Sequence, residues 1–250
     1  MKPLSGTGSL VELVGAPWEI ARLTIPTSPK SNHTRVSDLY MKAGGTNDFG
    51  AIFAISPDHG IGFSVLTAGF TASSARFTIR DAIGEAFIPA AESAAFEHAK
   101  KNFVGTFKDE KQEGANMTLS VDKDGVGLVL DSIFYNGTDQ RWIIASRSAP
   151  EDLEATLRLY PTGVNSKPGS LSALYDPNFT GVIAHRAALH PIPNSPRAAV
   201  EGGKGGLFEN QATWMTIDFI GPLDLFHFSY EKGKLVGVTS IGLNATFTPA

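Results

Sequence analysis

The 250-residue sequence contains no cysteine, which excludes disulfides, thiol chemistry and cysteine-based zinc sites. No apolar run reaches the roughly 18 residues that a spanning helix needs, so no membrane span is predicted. Basic residues never cluster in groups larger than three and the net charge is -4, so nothing indicates nucleic-acid binding. Glycine (26) and proline (15) are frequent instead, as is typical of short strands joined by turns.

Two signals for cellular location disagree. The N-terminal segment lacks the apolar core of about 7–15 residues that a signal peptide carries, which predicts a cytoplasmic protein. Five of the ten asparagines, however, lie in Asn-x-Ser/Thr glycosylation sequons: Asn32, Asn116, Asn136, Asn178 and Asn244. About one or two would be expected by chance, so the excess suggests secreted ancestry. The location therefore stays open.

Hydrophobic periodicity predicts an α+β protein with two domains, residues 1–101 and 102–250. The first is a partial antiparallel sheet with strands at Val36–Lys42, Phe49–Ile55 and Ile61–Ala68 and a short extended segment before them. A helix at Ile79–Lys101 follows the sheet, and Pro89 should kink it. The second is a small all-β barrel or sandwich. Its predicted strands are Met117–Val121, Gly127–Leu130, Trp142–Ala145, Leu157–Tyr160, Gly181–His185, Trp214–Phe219, Leu225–Tyr230 and Leu235–Thr239.

One strand end carries the residues most suggestive of chemistry, Lys42-Ala43-Gly44-Gly45, preceded by Tyr40. With its flanks, Gly15-Ala16-Pro17-Trp18 before it and Phe49–Gly69 after it, this segment resembles the last sheet strands of β-lactamase-related serine hydrolases of fungi. Leu159-Tyr160-Pro161 and Thr213-Trp214-Met215 resemble their C-terminal β-rich domain. The resemblance implies that Lys42 and Tyr40 are catalytic candidates and that Gly44 and Gly45 let a substrate approach the strand.

Other motifs of that family are missing. No Tyr-x-Asn or Ser-x-Asn occurs, and alanine replaces the hydroxyl residue between Lys42 and Gly44. Two stretches read Ser-x-x-Lys, at Ser120 and Ser229, but both lie at predicted strand-to-turn junctions rather than on a helix. The sequence therefore resembles the C-terminal part of such a hydrolase without its nucleophile, and a classical β-lactamase or esterase activity is not expected from this chain alone.

The second domain offers further binding candidates. His185, Trp214, Phe226 and Phe228 could line the interior of a barrel and bind a ligand, although packing in a core is the default explanation for these residues. The six histidines show no metal-ligand spacing, so neither a metal nor another cofactor is predicted.

Three functional interpretations remain open. The chain binds a small hydrophobic molecule and acts as an accessory protein resembling a cyclase or isomerase; or it is a hydrolase or transacylase completed by a partner chain or a missing exon; or it is a non-catalytic assembly protein. A homodimer or a complex with another chain is expected, because the incomplete sheet would leave an edge and several apolar side chains uncovered. Those side chains are Phe49, Ile52, Phe53, Ile55, Phe63, Val65 and Leu66.

Overall fold

The computed structural model describes residues 3–28, 31–123, 125–146, 155–166, 176–191 and 222–250. Contacts divide the chain into two compact units. The first comprises residues 1–98 with 123–125, and the second comprises residues 99–122 with 126–250. The described residues form antiparallel strands, one long helix and one short helix, so the α+β class predicted from sequence is confirmed.

The described residues of the first unit form a six-stranded antiparallel meander in which every strand pairs with the next one along the chain. The strands are β1 (Ser5–Gly6), β2 (Glu12–Val14), β3 (Glu19–Pro26), β4 (Thr34–Thr46), β5 (Phe49–Ser56) and β6 (Ile61–Ala68). Strand β4 extends beyond both ends of the predicted strand, β5 is one residue longer than predicted, and β6 has the predicted bounds.

Helix α1 (Ala72–Asn102) packs against one face of this sheet, and it continues through Pro89 without ending there. It begins seven residues before the predicted start, because the carbonyl of Thr71 already accepts the amide of Ala75 at 2.9 Å. The apolar stripe used to predict the helix does not include that first turn. The core between helix and sheet contains Ile25, Leu39, Met41, Ile52, Ala54, Val65 and Ile88.

The described residues of the second unit form a nine-stranded antiparallel sheet. The strands are β7 (Gly105–Lys108), β8 (Asn116–Ser120), β9 (Leu128–Tyr135), β10 (Thr138–Asp139), β11 (Ala155–Asn165), β12 (Gly181–Pro191), β13 (Leu225–Glu231), β14 (Lys234–Ser240) and β15 (Ala245–Pro249). Because β8 also pairs with β9, these strands form a closed ring in the order β9, β11, β12, β13, β14, β15, β7 and β8, with β10 beside β9.

One predicted strand is wrong: Trp142–Ala145 lies in a helix, α2 (Arg141–Ser146). The carboxylate of Asp139 accepts the amide of Arg141 at 3.1 Å and so satisfies a free donor at the start of the helix. A short apolar run fits a strand and a buried helix equally well, and this cap decides between them. The predicted strand Trp214–Phe219 lies outside the described residues.

Within the described residues, no helix is both long and apolar enough to cross a membrane.

Candidate functional site

Side chains of β4 alternate between the two faces of the first sheet. Leu39 and Met41 are buried in the core beneath α1, whereas Tyr40, Lys42 and Gly44 point to the other side. On that side Lys42 is paired with Phe53 of β5, and Phe53 with Ser64 of β6. We call this side, which bears Tyr40, Lys42, Phe53, Ser64 and Leu66, the open face.

The ammonium of Lys42 is engaged in an ion pair. It donates to the carboxylate of Glu19 and, at 2.9 Å, to the carbonyl of Ala43. Both side chains are about half exposed, at 48% for Lys42 and 52% for Glu19. A substrate carboxylate would therefore have to displace Glu19 before it could reach this ammonium.

Tyr40 is a buried neighbour of Lys42 rather than an exposed base. Only 6% of the residue is exposed, and its ring lies edge-on to Trp18 with the centroids 6.2 Å apart. Burial, aided by the negative charges of Asp38 and Asp58, raises the pKa of the Tyr40 phenol above its ordinary value. The phenol is therefore protonated at neutral pH and can donate, but not accept, a proton.

The two glycines after Lys42 have different surroundings. A side chain at Gly44 would meet nothing within 4 Å, so the backbone is open to an approaching molecule there. A side chain at Gly45 would collide with the guanidinium of Arg76 at 2.5 Å. Because Arg76 of α1 also donates to the carbonyl of Gly44, it fixes the end of β4 to the helix.

The aromatic candidates of the second unit lie in its packed core. Phe226 and Phe228 are fully buried, and the imidazole of His185 stacks on Phe228 with centroids 3.9 Å apart. Burial lowers the pKa of His185 to about 4, although a hydrogen bond from its Nδ1 to the carbonyl of Ile183 opposes this. His185 is thus neutral at pH 7. Trp214 lies outside the described residues.

Neither Ser-x-x-Lys stretch lies on a helix. Ser120 is the last residue of β8, and Ser229 lies within β13, with Lys232 in the following turn at a φ of 50°. Serine and lysine therefore do not share a helix face in either stretch, which is the arrangement that would activate the hydroxyl.

A buried polar cluster that was not predicted from the sequence lies at the opposite end of β4 from the glycines. The imidazole of His59 lies between Ser56 and Glu92, with 2.7 Å from its Nδ1 to the hydroxyl and 2.7 Å from its Nε2 to the carboxylate. Arg35 donates to both oxygens of Glu92, at 2.9 and 2.7 Å, and to Asp58 at 2.6 Å. We call Arg35, Ser56, Asp58, His59 and Glu92 the polar cluster.

The contacts of Ser, His and Glu resemble a catalytic triad, but the surroundings oppose that role. Burial alone would raise the pKa of Glu92, yet hydrogen bonds from His59 and Arg35 outweigh it and lower the pKa to about 2. This low pKa keeps Glu92 ionised, as the carboxylate of a catalytic triad also is, so the accessibility of the serine decides the matter. Ser56 is only 2% exposed, so its hydroxyl has no access to a substrate. The cluster instead ties α1 to β4 and to the turn between β5 and β6.

A groove of about 830 Å³ runs along β2 and β3 and is bounded by α1. Its apolar lining includes Leu23, Leu39, Met41, Ile88 and the indole of Trp18. Its charged lining comprises two arginines and four carboxylates: Arg22, Arg80, Glu12, Glu19, Asp81 and Glu85. Because Glu19 is the partner of Lys42, the ion pair stands at the edge of the groove.

Comparison with known proteins identifies the family of the chain. The family profile described as "Beta-lactamase-like-like, C-terminal domain" matches residues 95–250. The chain belongs to this β-lactamase-like family. A "Beta-lactamase-like protein" of Arthroderma benhamiae is 30% identical over 257 residues, which cover 95% of this chain and 42% of that relative.

Two further relatives of the β-lactamase-like chain carry hydrolase names. "Probable hydrolase M10" of a Phoma species and "Probable hydrolase clz13" of Cochliobolus lunatus are 27% and 28% identical over 128 residues. Each match covers 50% of this chain and 20% of the relative, so the chain spans less than half the length of these relatives. The family profile and these relatives confirm the predicted resemblance to β-lactamase-related proteins. No solved structure matches the chain.

The predicted site residues that the structure describes fall into two groups. Tyr40, Lys42, Gly44 and Gly45 lie close together on β4, whereas His185, Phe226 and Phe228 lie together in the second unit. The groove could not be found from local sequence, because its lining comes from β2, β3, β4 and α1, which approach one another only in the folded unit.

Proposed function

We propose that this β-lactamase-like protein binds a small hydrophobic molecule in the groove and acts without forming an acyl-serine of its own. The groove is the observation that carries the proposal, since its volume lies within the range of about 300–1,000 Å³ typical of ligand sites. The bound molecule would be held by shape and by the surrounding charges, as in an accessory cyclase or isomerase.

The charges of the groove favour one class of ligand. Arg22 is paired with Asp38 at 3.1 Å and Arg80 with Asp81 at 2.6 Å, and Lys42 neutralises Glu19. Glu12 and Glu85 add two further acidic side chains to the lining. A neutral or cationic apolar molecule is therefore expected to bind more tightly than an apolar carboxylate.

Gly84 of α1 provides a clean test, because it lines the groove and a side chain there would meet nothing within 4 Å. Gly84→Trp should place an indole in the groove and weaken binding of the neutral fluorophore N-phenyl-1-naphthylamine at least tenfold. Gly84→Ala should keep the binding and stabilise the helix by up to about 1 kcal/mol. Ala86→Trp, on an exposed part of the same helix that does not line the groove, is the matched control.

The test separates the groove from other apolar surfaces. Equal fluorophore binding by the wild type and Gly84→Trp, with circular dichroism showing both folded, would place the binding elsewhere and refute the proposal. The anionic fluorophore 1-anilinonaphthalene-8-sulfonate should bind more weakly than the neutral one. The opposite order would refute the inference from charge.

A hydrolase or transacylase completed by a partner chain is the second candidate. It is supported by the hydrolase names of two relatives and by the open face, where Lys42 stands beside the 44% exposed ring of Phe53. Incubation of the purified chain with a chromogenic ester and a fluorophosphonate probe tests whether the chain carries a serine nucleophile of its own. We expect no labelled serine in the purified chain. Labelling of Ser120, Ser229 or another serine would favour the hydrolase instead.

A further inference from the structure

Strand β6 is the outermost strand of the first sheet, and among the described residues no strand pairs with its outer edge. The amide of Gly69 donates to the carbonyl of Asp48 at 2.7 Å, in register with the pairing of β5 and β6. Because hydrogen-bonded pairs alternate along antiparallel strands, residues 61, 63, 65 and 67 bond to β5. The backbone groups of Gly62, Ser64, Leu66 and Ala68 therefore point outwards.

This edge lacks the features that usually prevent strand addition. The segment Ile-Gly-Phe-Ser-Val-Leu-Thr-Ala contains neither a charged residue nor a proline. Apolar side chains beside it are exposed: Leu66 at 82%, Phe49 at 62% on the neighbouring strand, and Phe70 at 98% just beyond the strand. Ile52 and Val65, which were predicted to need a partner, are instead buried beneath α1.

We propose that β6 pairs antiparallel with β6 of a second copy, about a twofold axis that passes beside Ser64. Outward backbone groups must face each other, so Ser64 lies opposite the same serine, and Gly62 opposite Leu66 of the second copy. Each of these pairs exchanges two main-chain hydrogen bonds, which gives about six across the axis.

In this register the same side-chain contact occurs twice, once on each side of the axis. On the open face, the exposed Leu66 of one copy lies over Gly62 of the other, which has no side chain to obstruct it. Opposed residues of an antiparallel pair lie on the same face, so both copies contribute Leu66 to one continuous open face. A second copy is thus favoured over an unrelated strand because the edge is complementary to itself.

The absence of cysteine allows a direct test by cross-linking. In Ser64→Cys the two thiols would face each other with Cα atoms about 5.5 Å apart, a separation that a disulfide spans. We expect this variant to form a covalent dimer on mild oxidation. Ser73→Cys, on an exposed position of α1, should not. Equal cross-linking of the two variants, or none of Ser64→Cys, would overturn the proposal.

Sedimentation provides the second readout. The wild type should sediment as a dimer at micromolar concentration, and Leu66→Lys should weaken the dimer at least tenfold, whereas Ala95→Lys, an equal change of charge on α1, should not. A monomeric wild type, or a Leu66→Lys dimer as tight as the wild type, would overturn the proposal. Binding of N-phenyl-1-naphthylamine should persist in Leu66→Lys, because the groove lies along β2 and β3, so this inference and the proposed function fail separately.

Discussion

Replacing Glu92 by glutamine should destabilise the first unit substantially. Glu92 is 7% exposed and accepts hydrogen bonds from Arg35 and His59. Its pKa in the folded protein, about 2, lies well below the ordinary value of 4.5. Since each pKa unit corresponds to about 1.4 kcal/mol, the ionised carboxylate contributes on the order of 3 kcal/mol to stability. Removing one partner of a buried ion pair costs a similar amount, about 3–5 kcal/mol.

The contribution of Glu92 to stability should depend on pH. Because folding lowers the pKa of Glu92, its contribution is fully present above about pH 4.5 and is lost as the pH falls toward 2. The wild type and Glu92→Gln should therefore differ by about 3 kcal/mol at pH 7 and progressively less below pH 4.5. The difference should also exceed that of Glu97→Gln, which changes an exposed carboxylate of the same helix.

Hydrogen exchange of α1 peptides, read by mass spectrometry, is the appropriate assay because the chain has two units and a single melting temperature would mix them. Exchange of the α1 amides in Glu92→Gln should be at least about a hundredfold faster than in Glu97→Gln at pH 7, which corresponds to about 3 kcal/mol. Equal exchange in the two variants would show that the polar cluster does not stabilise the unit and would refute the reasoning.

Three further predictions concern the predicted site residues and the second unit. Lys42→Ala should change the free energy of unfolding by no more than about 1 kcal/mol, because its ion pair is half exposed; a larger change in urea denaturation would indicate another role. Phe228→Ala should destabilise the second unit by about 3–5 kcal/mol and leave the binding of N-phenyl-1-naphthylamine unchanged. Loss of binding in a folded Phe228→Ala variant would show that the ligand binds inside the closed ring of strands instead. Because folding lowers the pKa of His185 to about 4, the stability of the second unit should fall as the pH drops from 6.5 towards 4. The stability of His185→Phe should not fall in this range, and urea denaturation monitored by hydrogen exchange would detect the difference between the two proteins.

Local patterns predicted the strands of both units well where the chain alternates. β5 and β6 differ from their predicted bounds by no more than one residue, because turns with glycine follow or precede them directly. The pattern failed where an apolar run was short, as at Trp142–Ala145, since four apolar residues carry no period and the cap at Asp139 determines the outcome.

The placement of the candidate residues followed from the sequence only where these residues are neighbours in the chain. Tyr40, Lys42 and Gly44 share the open face because side chains alternate along any strand, and this follows from the sequence once β4 is recognised. The polar cluster was not predicted, since Arg35, His59 and Glu92 come from a strand, a turn and a helix and only their burial distinguishes them from surface charges.

The sequence by itself determined the family, the α+β class and the Lys-Ala-Gly strand, because each depends on residue types at fixed short spacings. Tertiary structure decided which contacts those residues make. It placed Glu19 against Lys42 and Arg76 against Gly45, and it packed Phe226 and Phe228 into a core. It also formed the groove from three strands and a helix and left the edge of β6 unpaired among the described residues. These outcomes depend on distances between segments far apart in the chain, which no local spacing encodes.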